Sequence, residues 1–241
     1  MGIYNVKVDT GFANNPYIGN RDINEKILPN KNTPYFFGTT KDCIEFTITI
    51  SPLEKKWDNK LRYDVARWLI KDEYKPLQFA DDLTKIYYAI CVGSEGLMTD
   101  HNYGGYVTLT FRTNSYHAWT TTYNQLLDLS GSDVNNIILE NKSNVVDFYY
   151  PEIEFELKDT NKNITLKNLS DTNREFKFTN LLENEKVYVN NERKEIISDI
   201  PSVYRLGNFN KNWLRLRYGQ NNIEVTGKCI LKVRSQFPIL V

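Results

Sequence analysis

The sequence predicts a mainly β chain with one helix: an N-terminal α+β domain (residues 1–118) and a C-terminal antiparallel β-sandwich (residues 119–241). Three observations carry this. Aromatic residues make up 13% of 241, with 16 Tyr, and there are 28 Asn, a composition that favours strands and the turns between them. Apolar residues recur at helical spacing in only one segment. Beyond Trp119 the apolar runs are short and closely spaced, separated by Asn, Asp and Gly, the pattern of a sandwich.

The first stretch, to about Thr40, is rich in Asn, Gly and Pro and reads as turns, with Asn14-Asn15-Pro16, Pro29-Asn30 and Thr33-Pro34 as its signals. From Cys43 to Ile50, Ile44, Phe46, Ile48 and Ile50 alternate with Glu45, Thr47 and Thr49, so one face of a strand is buried. Pro52 is expected to stop it. Asp58 to Lys71 is the helix. Leu61, Val65, Trp68 and Leu69 form its stripe, Asp58 caps the free N–H groups of its first turn, and Pro76 forbids continuation. Trp68 is expected to be buried against a sheet.

Leu77 to Phe79 and Lys85 to Val92 read as strands joined by a turn at Asp81-Asp82. Ser94 to Gly105 reads as a 12-residue loop, long for a compact domain and therefore suspect of function. Leu97 and Met98 place apolar side chains in it, and Gly93, Gly96, Gly104 and Gly105 make hinges there easy. Two readings stand open: the pair folds back onto its own domain, or it tips an assembly arm. Tyr106 to Thr113 is the next strand, and the domain boundary is placed near Asn114 to Thr122. In the second domain, strands are expected at Val145–Tyr149, Glu152–Lys158, Ile164–Lys167, Phe176–Thr179, Lys186–Val189, Glu195–Ser198, Trp213–Tyr218, Ile223–Thr226 and Cys229–Arg234. Trp213 to Thr226 reads as a hairpin around Gly219–Asn222, with Leu214, Leu216, Ile223 and Val225 inward.

Charge excludes some functions. The 30 Lys and Arg balance the 30 Asp and Glu, and they balance again on either side of Thr120, so no net basic field points to nucleic acid. No apolar run reaches the ~18–20 residues of a membrane span, and residues 1–9 lack the apolar core of a secretory signal, so the chain is expected to be made in a cytoplasm. Cys43, Cys91 and Cys229 have neither metal-like spacing nor a disulfide pattern and read as small apolar fillers. His101 and His117 are the only histidines, and no triad, zincin or P-loop signature accompanies them. Glu152, Glu154 and Glu156 share one strand face opposite Ile153, Phe155 and Leu157. Paired carboxylates serve glycosidases, but this alternation is also that of a solvated face. No catalytic residue, metal or cofactor is expected.

Two stretches carry a resemblance. The first runs Pro34-Tyr-Phe-Phe-Gly38, Ile44-Glu-Phe-Thr-Ile48, Asp64-Val-Ala-Arg-Trp-Leu69, Tyr74-Lys-Pro-Leu-Gln-Phe79, Ile86-Tyr-Tyr-Ala89 and Gly105-Tyr-Val-Thr-Leu-Thr-Phe-Arg112. The second runs Glu175-Phe-Lys-Phe178, Val187-Tyr-Val189, Glu195-Ile-Ile-Ser198, Trp213-Leu-Arg-Leu216 and Gly219-Gln-Asn-Asn-Ile-Glu-Val-Thr-Gly227. Their order and spacing resemble the distal tail protein (Dit) family of siphophages of Gram-positive hosts. The resemblance implies a tail-tube-like N-terminal belt domain that closes a homo-hexameric ring around the DNA channel, and a galectin-like C-terminal sandwich. It implies a place at the virion tail tip, between the tail tube protein and the tail hub or tail-associated lysin. The tape measure protein and a receptor-binding protein are further implied partners. Two departures are visible: Met1-Gly2 directly precedes Ile3-Tyr-Asn-Val6, where relatives carry a further β-rich stretch, and the galectin sugar motif His-x-Asn-Pro-Arg is missing. The rival functions are a wall-carbohydrate-binding module carried by the sandwich and a glycosidase on the Glu152–Glu156 face.

Overall fold

A computed structural model describes residues 3–5, 19–52, 56–100, 104–145 and 147–240. The chain divides into two compact units, Met1–Trp119 with Leu240–Val241 and Thr120–Ile239.

The first unit contains, in chain order, β1 (Ile3–Asn5), β2 (Arg21–Lys26), β3 (Tyr35–Lys41), β4 (Glu45–Pro52), α1 (Asn59–Leu69), β5 (Lys75–Phe79), β6 (Asp82–Thr99), β7 (Gly105–Thr113) and β8 (Ala118–Thr120). Its sheet runs β1-β4-β7-β6-β8, with β5 on β6. Ile44, Phe46 and Ile50 are buried as their alternation requires. Phe46 stacks on Phe111 and meets Phe79 and Tyr87 edge-on, giving this sheet an aromatic core. β4 ends at Pro52 as expected, with the proline its last residue, opposite Ile3 of β1. There it is next to an edge, where a missing N–H is tolerated.

Helix α1 begins where the sequence places it. The Asp58 carboxylate accepts a hydrogen bond from the Leu61 N–H at 2.7 Å. The helix stops at Leu69, two residues short of Lys71, because Ile70 turns extended. Leu61 and Val65 are buried and Leu69 packs partly on the same core. Trp68 is not buried: it is 56% exposed. At 100° per residue, Leu61 and Leu69 flank Val65 symmetrically, while Trp68 falls ~60° from that centre and off the narrow stripe. The indole in this core belongs instead to Trp57, just before the helix and 2% exposed. Trp68→Ala should therefore leave the unfolding midpoint within the ~0.5 kcal/mol typical of surface changes. A loss of several kcal/mol in a denaturant titration would contradict this placement.

The second unit holds β9 (Tyr123–Asp128), β10 (Val134–Asn141), β11 (Glu152–Leu157), β12 (Ile164–Asn168), β13 (Arg174–Phe178), β14 (Lys186–Asn190), β15 (Glu195–Ser198), β16 (Gly219–Thr226), β17 (Cys229–Ser235) and β18 (Pro238–Ile239). Two antiparallel sheets, β15-β14-β11-β17-β9 and β10-β16-β12-β13, form the sandwich. Their inner faces meet in a dry core. Phe155, Leu157, Ile164, Leu166, Phe178, Val187, Val189, Val225 and Leu231 have no exposed surface, and Phe178 stacks on Phe209 at 4.7 Å.

Two expected strands are absent. Among the described residues, those of Val145–Tyr149 and of Trp213–Tyr218 form no ladder and touch through the isolated bridge Tyr149–Leu216. The hairpin expected over Trp213–Thr226 does not form either, since β16 pairs with β10 and β12. The cause is Asn221, fully buried. Its side-chain oxygen accepts from the Arg217 N–H, and its amide donates to the carbonyls of Arg217 and Gly219, so the turn is satisfied by a side chain instead of a cross-strand ladder. Leu214, Leu216, Ile223 and Val225 are buried all the same.

Candidate assembly site

The turn-rich reading of the stretch to about Thr40 holds at Pro29-Asn30, where the Lys31 N–H donates to the Leu28 carbonyl, and is corrected on either side of it; Asn14-Asn15-Pro16 lies outside the described residues. Strands β2 and β3 form a hairpin with register Arg21–Lys41 to Lys26–Tyr35, bulged between Asn24 and Glu25, and among the described residues they pair only with each other. Gly38, at φ +125°, supplies backbone in the bulged region that other residues resist. The Asp42 N–H donates to the Asn20 carbonyl at the base. Gly19 is required there, because a Cβ would stand 2.1 Å from the Asp42 carbonyl oxygen. No residue of either strand is buried, although Ile23, Tyr35, Phe36 and Phe37 are all large and apolar, and Ile27 and Leu28 just beyond β2 are exposed as well. A two-stranded ribbon with no covered face is marginal in water, and so many exposed apolar side chains on it make it a candidate interaction surface.

The expected Ser94–Gly105 loop is mostly strand, a β6–β7 ribbon. β6 continues through Thr99, and β7 begins at Gly105, with Leu97 opposite Val107 and Met98 opposite Tyr106. Bulges between Cys91 and Gly93 and between Ser94 and Leu97 twist the ribbon. Of the expected loop, the described residues outside strands are Asp100 and Gly104, with the Asp100 N–H donating to the Gly104 carbonyl. The Gly105 carbonyl accepts from Trp57 Nε1 at 2.9 Å and from Ser51 Oγ at 2.8 Å, so the far end of the ribbon, where Gly105 lies opposite Thr99, is tied to the buried Trp57 and to β4. Leu97 and Met98 do not act as a pair. Consecutive strand residues face opposite ways, so Leu97 packs partly on the core and Met98 is 61% exposed. Tyr63 and Trp68 of α1, and Ile70 just after it, are exposed as well.

The candidate chemical groups lie elsewhere. Glu152, Glu154 and Glu156 point outward while Ile153, Phe155 and Leu157 are buried. The hydrogen bond from Lys158 and the charges of Lys158 and Lys186 hold the Glu156 carboxyl below the usual range. Cys43, Cys91 and Cys229 are free, and burial pushes the Cys229 thiol up to about 12. Among the described residues no three His, Cys, Asp or Glu side chains converge as a metal site. His101 lies outside the described residues.

His117 packs edge-on between Tyr116 and Trp119, and neither ring nitrogen has a hydrogen-bond partner. Burial first, then the charge of Lys41, pushes its pKa down to about 4. The folded chain thus refuses a proton that the unfolded chain accepts near pH 6.5. Stability from this site is whole above pH 6.5 and falls as pH drops toward 4. His117→Phe should flatten that fall in urea titrations across the same window, and an unchanged slope would refute the assignment.

Comparisons with known proteins agree with one another. A family model described as phage tail protein N-terminal domain matches residues 1–115, and one described as phage tail C-terminal domain matches residues 117–234. An SPbeta prophage-derived uncharacterized protein of Bacillus subtilis (strain 168), YomH, is 30% identical over 241 residues, covering 100% of this chain and 93% of that one. The crystal structure of the SPP1 Dit (gp 19.1) protein superposes with a TM-score of 0.65 at 11% identity, covering 98% of this chain and 91% of that one.

Proposed function

The chain belongs to this phage tail protein family and has the Dit fold, and from that premise we propose that it is a non-enzymatic distal tail component that assembles with its own copies into a six-fold ring. The ring joins the tail tube to the tail hub or tail-associated lysin at the tail tip and leaves a central passage for DNA. The carrying observation is the β2–β3 hairpin, whose apolar residues find no cover within their own unit. A patch on one side of a subunit that fits a different patch on the next gives a head-to-tail contact, and such contacts close into rings. The exposed side chains of Tyr63 and Trp68 on α1 supply a second candidate surface in the same unit. Ring closure also gives the short edge strand β1 a neighbour to pair with.

Met98, at the end of the β6–β7 ribbon, is the contact proposed for the adjoining tube or hub subunits; the tape measure and receptor-binding proteins are further partners in this reading. A double change of Phe36 and Phe37 to Ser should leave the unfolding midpoint of the monomer unchanged and abolish rings in mass photometry. Rings that persist in this variant, with the hairpin's apolar patch removed, would overturn the assignment of the contact. Polysaccharide hydrolysis assays should be blank. Activity that Glu154→Gln removed would favour a glycosidase instead.

A further inference from the structure

The outer face of the five-stranded sheet is ordered in rows by strand register. One row reads Leu126, Lys232, Glu154, Tyr188, Ile197 across β9, β17, β11, β14 and β15, and the next runs Asp128, Ile230, Glu156, Lys186. A groove of about 370 Å³, near the lower end of the ~300–1,000 Å³ range of small-molecule sites, is lined by members of these rows together with Asn124 and Gln125 of β9; Asn124 belongs to a third row, with Arg234, Glu152 and Asn190.

Its hydrogen-bonding groups are unevenly used. In the row on one side, Glu152 is engaged by Arg234 and Asn190. Glu156 is engaged by Lys158 and Lys186. In the groove itself the side chains of Glu154, Lys232, Asn124 and Gln125 have no partner among the described residues. Beside them Leu126 is 72% exposed, an apolar side chain on a charged face that folding does not require.

We propose that this groove binds a neutral polyhydroxylated ligand, a short stretch of uncharged oligosaccharide, and so gives the sandwich a recognition role beyond ring assembly. The charges select the class. The lining carries two carboxylates, Glu154 and Glu156, and two ammonium groups, Lys186 and Lys232. An anion would meet the free carboxylate of Glu154, and a cation would meet the free ammonium of Lys232; each would lose part of what it gained. Hydroxyl groups both donate and accept, so a polyol satisfies carboxylate, ammonium and amides together. Leu126 and Ile230 offer apolar contact to the C–H face of a sugar ring. The frame is rigid, since Phe155, Leu157, Val187, Val189 and Leu231 on the opposite side of the same strands are fully buried.

The test is a heteronuclear NMR titration of the full chain with three neutral probes, chitotriose, maltotriose and lactose, and two charged ones, trigalacturonate and spermidine. At least one neutral probe should shift amides of residues 124–126, 154–156, 186 and 230–232. Glu154→Ala combined with Lys232→Ala, both at exposed positions, should leave the fold intact and weaken that binding about tenfold or more. The proposal fails if no neutral probe moves these amides, if the double variant binds as well as the parent, or if a charged probe binds the groove more tightly than every neutral one.

Discussion

Arg205→Met should destabilise the second unit by about 3–5 kcal/mol, the cost of leaving a buried charge without its partner. Glu185 is 0% exposed and Arg205 10%. Arg205 donates from Nε to Oε1 at 2.7 Å and from a terminal nitrogen to Oε2 at 2.6 Å. The Ser198 hydroxyl and the Leu182 N–H complete the carboxylate's shell. Burial pushes the Glu185 pKa up, but Arg205, the Leu182 N–H and Ser198 outweigh it and the net shift is downward. The sign follows: the carboxylate is held charged in the fold, so its contribution is whole above its ordinary pKa of 4.5 and is lost as pH falls below it. In Arg205→Met burial prevails, Glu185 takes up a proton more readily, and the damage should shrink on acidification. Adding Glu185→Leu should recover most of the loss, because a packed apolar pair replaces a buried ion pair at little cost. A single variant with an unchanged midpoint, or a double variant no better than the single, would contradict the account.

The second large effect is expected at Trp57. Trp57→Ala removes a buried indole from the first unit and should cost about 3–5 kcal/mol. It also removes the hydrogen bond to the Gly105 carbonyl at the far end of the β6–β7 ribbon. Trp57→Phe keeps most of the buried area and should cost about 1 kcal/mol, the usual worth of the bond it lacks. Hydrogen exchange at β4 and β7 amides reads this unit separately from the sandwich. Protection in Trp57→Ala equal to that of the parent would show that the indole supports nothing there.

Much of this fold is legible in the sequence where one face of an element is buried in its own subunit. β4, β11, β12, β14, β15 and β17 alternate because their inward residues enter a core, and Asp58 marks its helix because capping is local chemistry. The β2–β3 hairpin is illegible for the opposite reason: no face of it is buried in the subunit, so Arg21-Asp-Ile-Asn-Glu-Lys26 shows no periodicity to find. β10 is hidden by inward polar residues; Asn141 is 1% exposed and donates to the Leu216 carbonyl. Glycines and bulges disguise the far half of β6 as a loop. Trp68 shows the limit of a helical stripe, which marks a face but not its edge. Of the candidate site, Leu97 and Met98 stand out in the sequence as apolar residues in an expected loop, and only Met98 is exposed; the β2–β3 hairpin and its apolar side chains are not signalled, since nothing in their alternation marks a buried face.

The central claim is that this chain closes a ring of its own copies. Electron-microscopy class averages of the purified protein at high concentration, together with averages of tail tips that contain it, test it most directly. The account predicts closed six-fold rings in both, with the β2–β3 hairpin of each subunit lying against its neighbour. Monomers in solution together with tail tips lacking a six-fold ring of this chain would contradict it.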